Sequence, residues 1–154
     1  MASCVLACQD QLMPPESDHR LFFLLQRAAH TLRLTADRRC LAAAGITTAQ
    51  LGALFAVRDQ PGLTQQQLAR TLGLRQSAVT PLVGRLTAAG LVDKRTHPQE
   101  HRAVVLELTD AGAAALRDAG PEIDRFNAEL RDLLGDDGFG RTSAALHKLA
   151  HWHP

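Results

Sequence analysis

Residues 63–92 read LTQQQLARTLGLRQSAVTPLVGRLTAAGLV, two apolar-periodic runs separated by the pair Gly73-Leu74. Thr64 followed by Gln67 is a capping-box pattern that opens one helix, and Gly73 closes it. A second helix starts at Arg75 or Gln76 and runs to about Ala89, where Gly90 stops it. Ala69, Gly73 and Val79 have the spacing of a helix-turn-helix: a small residue where the helices cross, a glycine for positive φ in the turn, and a β-branched anchor. Leu68, Leu72, Leu74, Leu82, Val83 and Leu86 are expected to fill the space between the two helices. Pro81 removes one backbone donor and is tolerated near the N-terminal end of the second helix.

Such helix pairs also occur in proteins that bind no nucleic acid, so the side chains on the outer face carry the functional reading. On the second helix these are Arg75, Gln76, Ser77, Thr80 and Arg85, all small, polar or basic and suited to base edges and phosphates in a major groove. Beyond Gly90 the period changes from helical to strand-like: LVDKR, a polar turn THPQEH, then RAVVLELT with Val104, Leu106 and Leu108 expected to alternate inward. This hairpin carries Lys94, Arg95 and Arg102, with His97 and His101 as further donors. A hairpin beside a recognition helix is a wing, whose tip reaches an adjacent minor groove.

The flanks read as helices. After Pro14-Pro15, Ser17 or Asp18 caps a first helix to about Ala44, ended by Gly45. Leu21, Leu24, Leu25, Ala28 and Leu32 form one apolar stripe on it, and Phe23, Leu34 and Leu41 lie nearly opposite. One stripe faces the chain's own core, so the other is expected to meet a second subunit. Thr47 or Thr48 caps another helix to about Arg58, stopped by Gln60-Pro61-Gly62. Thr109 opens a long helix from Asp110 to about Leu134, which Gly120-Pro121 should bend or break. A last helix, from about Asp136 to Trp152, presents Phe139, Leu146 and Leu149 on one side.

The fold class expected is therefore mainly α with a small β-hairpin wing, a winged helix-turn-helix lobe joined to a layer of the first, fifth and sixth helices. The 154 residues are expected to form one domain, with 47–108 as the DNA-binding lobe and 17–44 and 110–152 as the dimerisation region. Net charge is only +1, but its distribution is uneven. Residues 64–102 hold six bases against two acids, a local +4, while residues 103–154 hold nine acids against five bases, a local −4. The opening MASCVLACQDQLMPP lacks a basic n-region, Asp10 interrupts its apolar stretch, and no run reaches membrane-spanning length. Three cysteines with no CxxC pair exclude a disulfide framework, so a cytoplasmic protein is expected.

The stretch LTQQQLARTLGLRQSAVTPLVGRLTAAGLVDKR, followed by HPQEHRAVVLELTDAG, resembles the winged helix-turn-helix of the MarR family of bacterial and archaeal regulators. One long helix before it and two after it extend the resemblance over nearly the whole chain. At the wing tip the family has an Asp, a variable residue and an Arg; here Glu100, His101 and Arg102 stand in those places. The resemblance gives Arg102 the minor-groove role, with Glu100 as a longer support. It also implies a homodimer built on the first and last helices and a pseudo-palindromic double-stranded operator, with half-sites about one helical turn apart. A repressor released by a small, often anionic aromatic effector follows from the same likeness, with Arg27 and His30 as its candidate contacts.

Three other readings remain open. A peroxide-sensing branch of the family has a Cys where this chain has Leu21 to Leu25 around Phe22 and Phe23, so that thiol is absent. Cys4 and Cys8 show no basic surroundings, whereas Arg38 and Arg39 beside Cys40 would lower its pKa; burial as a small apolar residue is the competing role for Cys40. His147 and His151, four apart, with His153 following, form a pattern able to offer imidazoles to zinc, but no further ligand is evident and no metal or cofactor is expected. A winged-helix protein-interaction module is the reading without DNA. No phosphate loop, nucleophile elbow or HExxH appears, so no enzyme is expected.

Overall fold

The computed structural model describes residues 20–96 and 104–152. Its elements are α1 (Leu21–Ala44), α2 (Thr48–Asp59), α3 (Gln65–Thr71), α4 (Gln76–Ala88), β1 (Val92–Thr96), β2 (Val104–Leu108) and α5 (Asp110–Ala150). The described residues divide into two units, with the boundary between Leu32 and Arg33 inside α1. In the first, Leu21, Phe22, Phe23 and Leu24 are all exposed, and the rings of Phe22 and Phe23 meet edge to face at 5.5 Å.

The second unit holds the core. Thr47 caps α2 and Thr64 caps α3, each in a full capping box with the glutamine three residues on, Gln50 and Gln67. The box at Gln67 was legible in the sequence; the one at Gln50 repeats it. The turn between α3 and α4 is a Schellman motif: Leu74 N–H donates to Ala69 O at 2.9 Å and Gly73 N–H to Arg70 O at 3.1 Å. That closure needs a left-handed residue, and Gly73 sits at φ 63°. Leu54, Leu68, Val79, Val83, Leu86, Val92 and Leu106 are fully buried in one core cluster.

Leu74 departs from expectation. It is 44% exposed, because the reversal at Gly73 that lets its amide close α3 also turns its side chain away from the helix crossing.

β1 and β2 pair antiparallel, Val92 opposite Leu108 through Thr96 opposite Val104. Thr64 bridges Val105 on the other side of β2, and Leu106 N–H donates to Leu63 O at 2.9 Å. The wing base is thus held between β1 and the segment that leads into α3. This corrects the inward alternation: Leu106 is buried and Leu108 half-buried, but Val104 is 46% exposed while Val105 is buried. Val104 lies at the end of the ladder beyond the core, and Val105 has Arg95 directly opposite it on the same face.

α5 also differs. The chain stays helical through Gly120-Pro121, and the interruption falls at Gly135, at φ 70° and ψ 160°. Pro121 is exposed, so the helix carries the missing donor on its solvent side. The expected fifth and sixth helices are one element divided at Gly135. On α1 the buried residues are Ala36 and Cys40, neither belonging to the stripes read from the sequence; Leu34 and Leu41 are exposed, as are Leu133, Leu146, Leu149 and Trp152 on and after α5. No single described helix is long and apolar enough to cross a membrane.

Candidate nucleic-acid interface

α4 buries one side, formed by Val79, Leu82, Val83 and Leu86, and exposes the other. At 100° per residue, Ser77, Pro81 and Gly84 occupy the middle of the outer face, Gln76 and Thr80 one edge and Arg85 the opposite edge. Arg75 is the N-cap and makes no side-chain cap bond. Thr80 Oγ1 donates to Gln76 O at 3.1 Å, which leaves its oxygen lone pairs free to accept. Sequence reasoning missed Gly84: a Cβ there would meet nothing within 4 Å, so its value lies in the low profile of the outer face. A glycine in the middle of an amphipathic helix, at a cost relative to Ala, was the available signal.

Electrostatically this face is uncompensated. α4 contains no acid, and among the described residues Arg70, Arg75, Arg85 and Lys94 form no ion pair. Arg95 is different, since its Nε lies 2.6 Å from Glu107 Oε2 across the hairpin. That pairing occupies the side chain along the strand, so Arg95 is the weakest of the basic residues read as phosphate contacts. His97, Glu100, His101 and Arg102 lie outside the described residues.

The remaining candidates among the described residues lie on α1 and at the end of α5. Arg27 and His30 are exposed on α1. Cys40 is wholly buried, and burial, reinforced by Asp37 and Glu122, pushes its thiol pKa up. This overturns the expectation that Arg38 and Arg39 would lower it. Arg39 is bound to Glu129 in a two-pronged pair at 2.9 and 2.6 Å and lies over the Phe126 ring, while Arg38 bonds Leu34 O and Thr35 Oγ1. His151 Nδ1 is 2.9 Å from His147 O, and no cluster of three or more metal-ligating side chains occurs among the described residues. His153, Cys4 and Cys8 lie outside them.

A thiol probe checks the Cys40 result. In a Cys4→Ser/Cys8→Ser background, the native protein at pH 8 should react at least about tenfold more slowly than the unfolded chain. Reaction at the unfolded rate would refute burial. Because the folded thiol stays neutral where the unfolded one ionises, the stability linked to Cys40 is complete below about pH 8.5 and declines as the pH rises beyond it.

A buried helix crossing, a Schellman turn, an exposed acid-free second helix and a hairpin anchored beside it define a winged helix-turn-helix protein. The sequence profile of the MarR family matches residues 44–103. The repressor NicR of Pseudomonas putida is 35% identical over 68% of this chain and 64% of its own length. BadR of Rhodopseudomonas palustris, a transcriptional activatory protein, is 31% identical over 87% of this chain and 77% of its own. The repressor CouR superposes with a TM-score of 0.80 when bound to a 23-mer DNA duplex, at 28% identity over 86% of this chain and 94% of that one. Bound to p-coumaroyl-CoA, CouR gives 0.81 at 27% identity over 93% and 100%. The chain belongs to the MarR family of transcriptional regulators. It spans just under two thirds of the length of NicR and of a second curated relative, 64% and 63%.

Proposed function

We propose that the protein is a homodimeric, DNA-binding transcriptional regulator, a repressor of a pseudo-palindromic operator that is released by a small, often anionic aromatic ligand. The observation that carries this reading is the outer face of α4, acid-free and flanked by Arg75 and Arg85 without ion-pair partners among the described residues. CouR, with DNA in one structure and p-coumaroyl-CoA in another, supports both the partner and the effector class. Residues 47–108 form the DNA-binding lobe, and residues 17–44 and 110–152 dimerise. The exposed apolar side chains of α1 and of the C-terminal half of α5 fit that role, because an apolar surface of this kind favours burial against a second copy.

Gln76, Ser77 and Thr80 read the major groove between phosphates that Arg75 and Arg85 contact, Lys94 and Arg95 contact further phosphates, and His101 and Arg102, supported by Glu100, follow the sequence likeness into the minor groove. Arg27 and His30 are the proposed effector contacts, and the ligand acts by favouring an arrangement of the two lobes that DNA does not. The protein works in the cytoplasm and is not an enzyme. NicR and CouR are both named repressors, which places repression ahead of the activation that BadR's name carries.

The deciding experiment is a gel shift on duplexes from the promoter region of its own gene, at rising KCl. Several released counterions predict a loss of about 10³ in affinity or more between 50 and 200 mM salt. A flat salt response, or no binding at 50 mM, would remove the DNA-binding reading and leave the interaction module.

A further inference from the structure

α2 is the central element of the lobe. It packs against α3, α4, α5 and β2, and Leu51, Ala53, Leu54, Ala56 and Val57 are buried on it. Whatever fixes its N-terminal end therefore fixes the direction of the recognition helix behind it. That end is held from α1. Asp37 Oδ1 accepts from the Thr48 backbone N–H at 2.8 Å and from Thr48 Oγ1 at 2.5 Å. Thr48 is the first helical residue of α2, where the amide has no partner within the helix. The carboxylate also faces the positive end of the helix dipole, and both bonds are charge-assisted. The capping box at Thr47 and Gln50 meets its own donors, so Asp37 is not needed to cap α2. It adds a tether from outside.

Two residues on, and about 200° around α1, Arg39 makes its two-pronged pair with Glu129 of α5. Neighbouring positions of α1 thus hold the lobe on one side and α5 on the other. We propose that Asp37 is a positioning residue, which through Thr48 sets the tilt of α2, and with it α4, against the α1 and α5 helices. In a dimer that tilt sets the distance between the two reading heads, and so which half-site spacing is bound. This rests on the DNA-binding reading above.

The test uses the full chain and a duplex enriched by the wild-type protein from a random pool, together with versions carrying one to four base pairs inserted or removed at the centre, and a single half-site. The wild type should prefer its selected spacing at least tenfold. Asp37→Ala should hold the half-site within twofold of wild type, yet discriminate among spacings by threefold or less. Thr48→Val, which removes the hydroxyl and keeps the amide, should move in the same direction by a smaller amount, and Thr48→Ser should retain the preference; these two decide the matter should Asp37→Ala fail to fold. Undiminished spacing preference in Asp37→Ala or Thr48→Val, whatever the melting temperature, overturns this inference alone. A wild-type protein that enriches no duplex overturns the DNA-binding reading and this inference with it.

Discussion

Gly112→Ala is expected to lower folding stability by about 3 kcal/mol, at the upper end of overpacking costs, which for a domain of this size is a drop of roughly 6–12 °C in melting temperature. Gly112 lies in the first turn of α5, and a Cβ built there falls on the backbone oxygen of Leu91 and 2.7 Å from Leu108 Cδ1. The backbone cannot yield, because the same few residues are tied several times over. Thr109 Oγ1 donates to Gly90 O at 2.7 Å, Thr109 N–H to Leu91 O at 3.2 Å, and Gly112 N–H to Thr109 Oγ1 at 3.0 Å. This knot joins the end of α4, the start of β1 and the start of α5, so a strained methyl there loosens recognition helix, wing and helical layer together. Gly84→Ala is the control: the position is helical, a Cβ meets nothing within 4 Å, and the change should be neutral or stabilise the fold by about 0.5–1 kcal/mol. Equal melting temperatures for the two variants would show that the close approach is not what requires glycine at 112.

The features legible in the sequence were those set by local chemistry. Thr64 with Gln67, Gly73 and Gly90 announce caps and closures that depend on residues within one turn of each other, and the helix-turn-helix follows from them. What escaped depends on contacts distant along the chain. Val105 is buried because Thr64 comes back beside β2, a pairing no alternation pattern contains. Asp37 finds its partner only when Thr48, eleven residues on, folds against it. The arginines beside Cys40 looked like activators of a thiol; one reaches instead to Glu129, ninety residues away, and the other back along its own helix. Gly135 breaks α5 where Gly120-Pro121 does not, since the backbone at Gly135 takes a conformation favourable only to glycine, whereas a helix tolerates a proline on its exposed side. The outward placement of Gln76, Ser77, Thr80 and Arg85 on α4 was readable from helical spacing; the ion pairing that separates Arg95 from Arg85 was not.

That separation yields the second large effect. Arg75→Ala/Arg85→Ala should weaken operator binding about 100-fold or more at physiological salt and, with two arginines lost from each of two subunits, reduce the magnitude of the salt slope by about 4, with melting within about 2 °C of wild type. Both side chains are exposed and neither forms an ion pair among the described residues, so removing them takes nothing from the fold. They sit at the N-cap and on one flank of α4, far enough apart for their effects to add. Arg95→Ala should cost less than about threefold, because in the free protein Glu107 already compensates that guanidinium, and an exposed pair of this kind contributes little to stability as well. A double variant that keeps wild-type affinity and slope would mean that α4 does not face phosphate, whatever the fold. If Arg95→Ala instead matched the double variant, the hairpin pair must open on binding, and the wing strand would rank with α4 as a source of affinity.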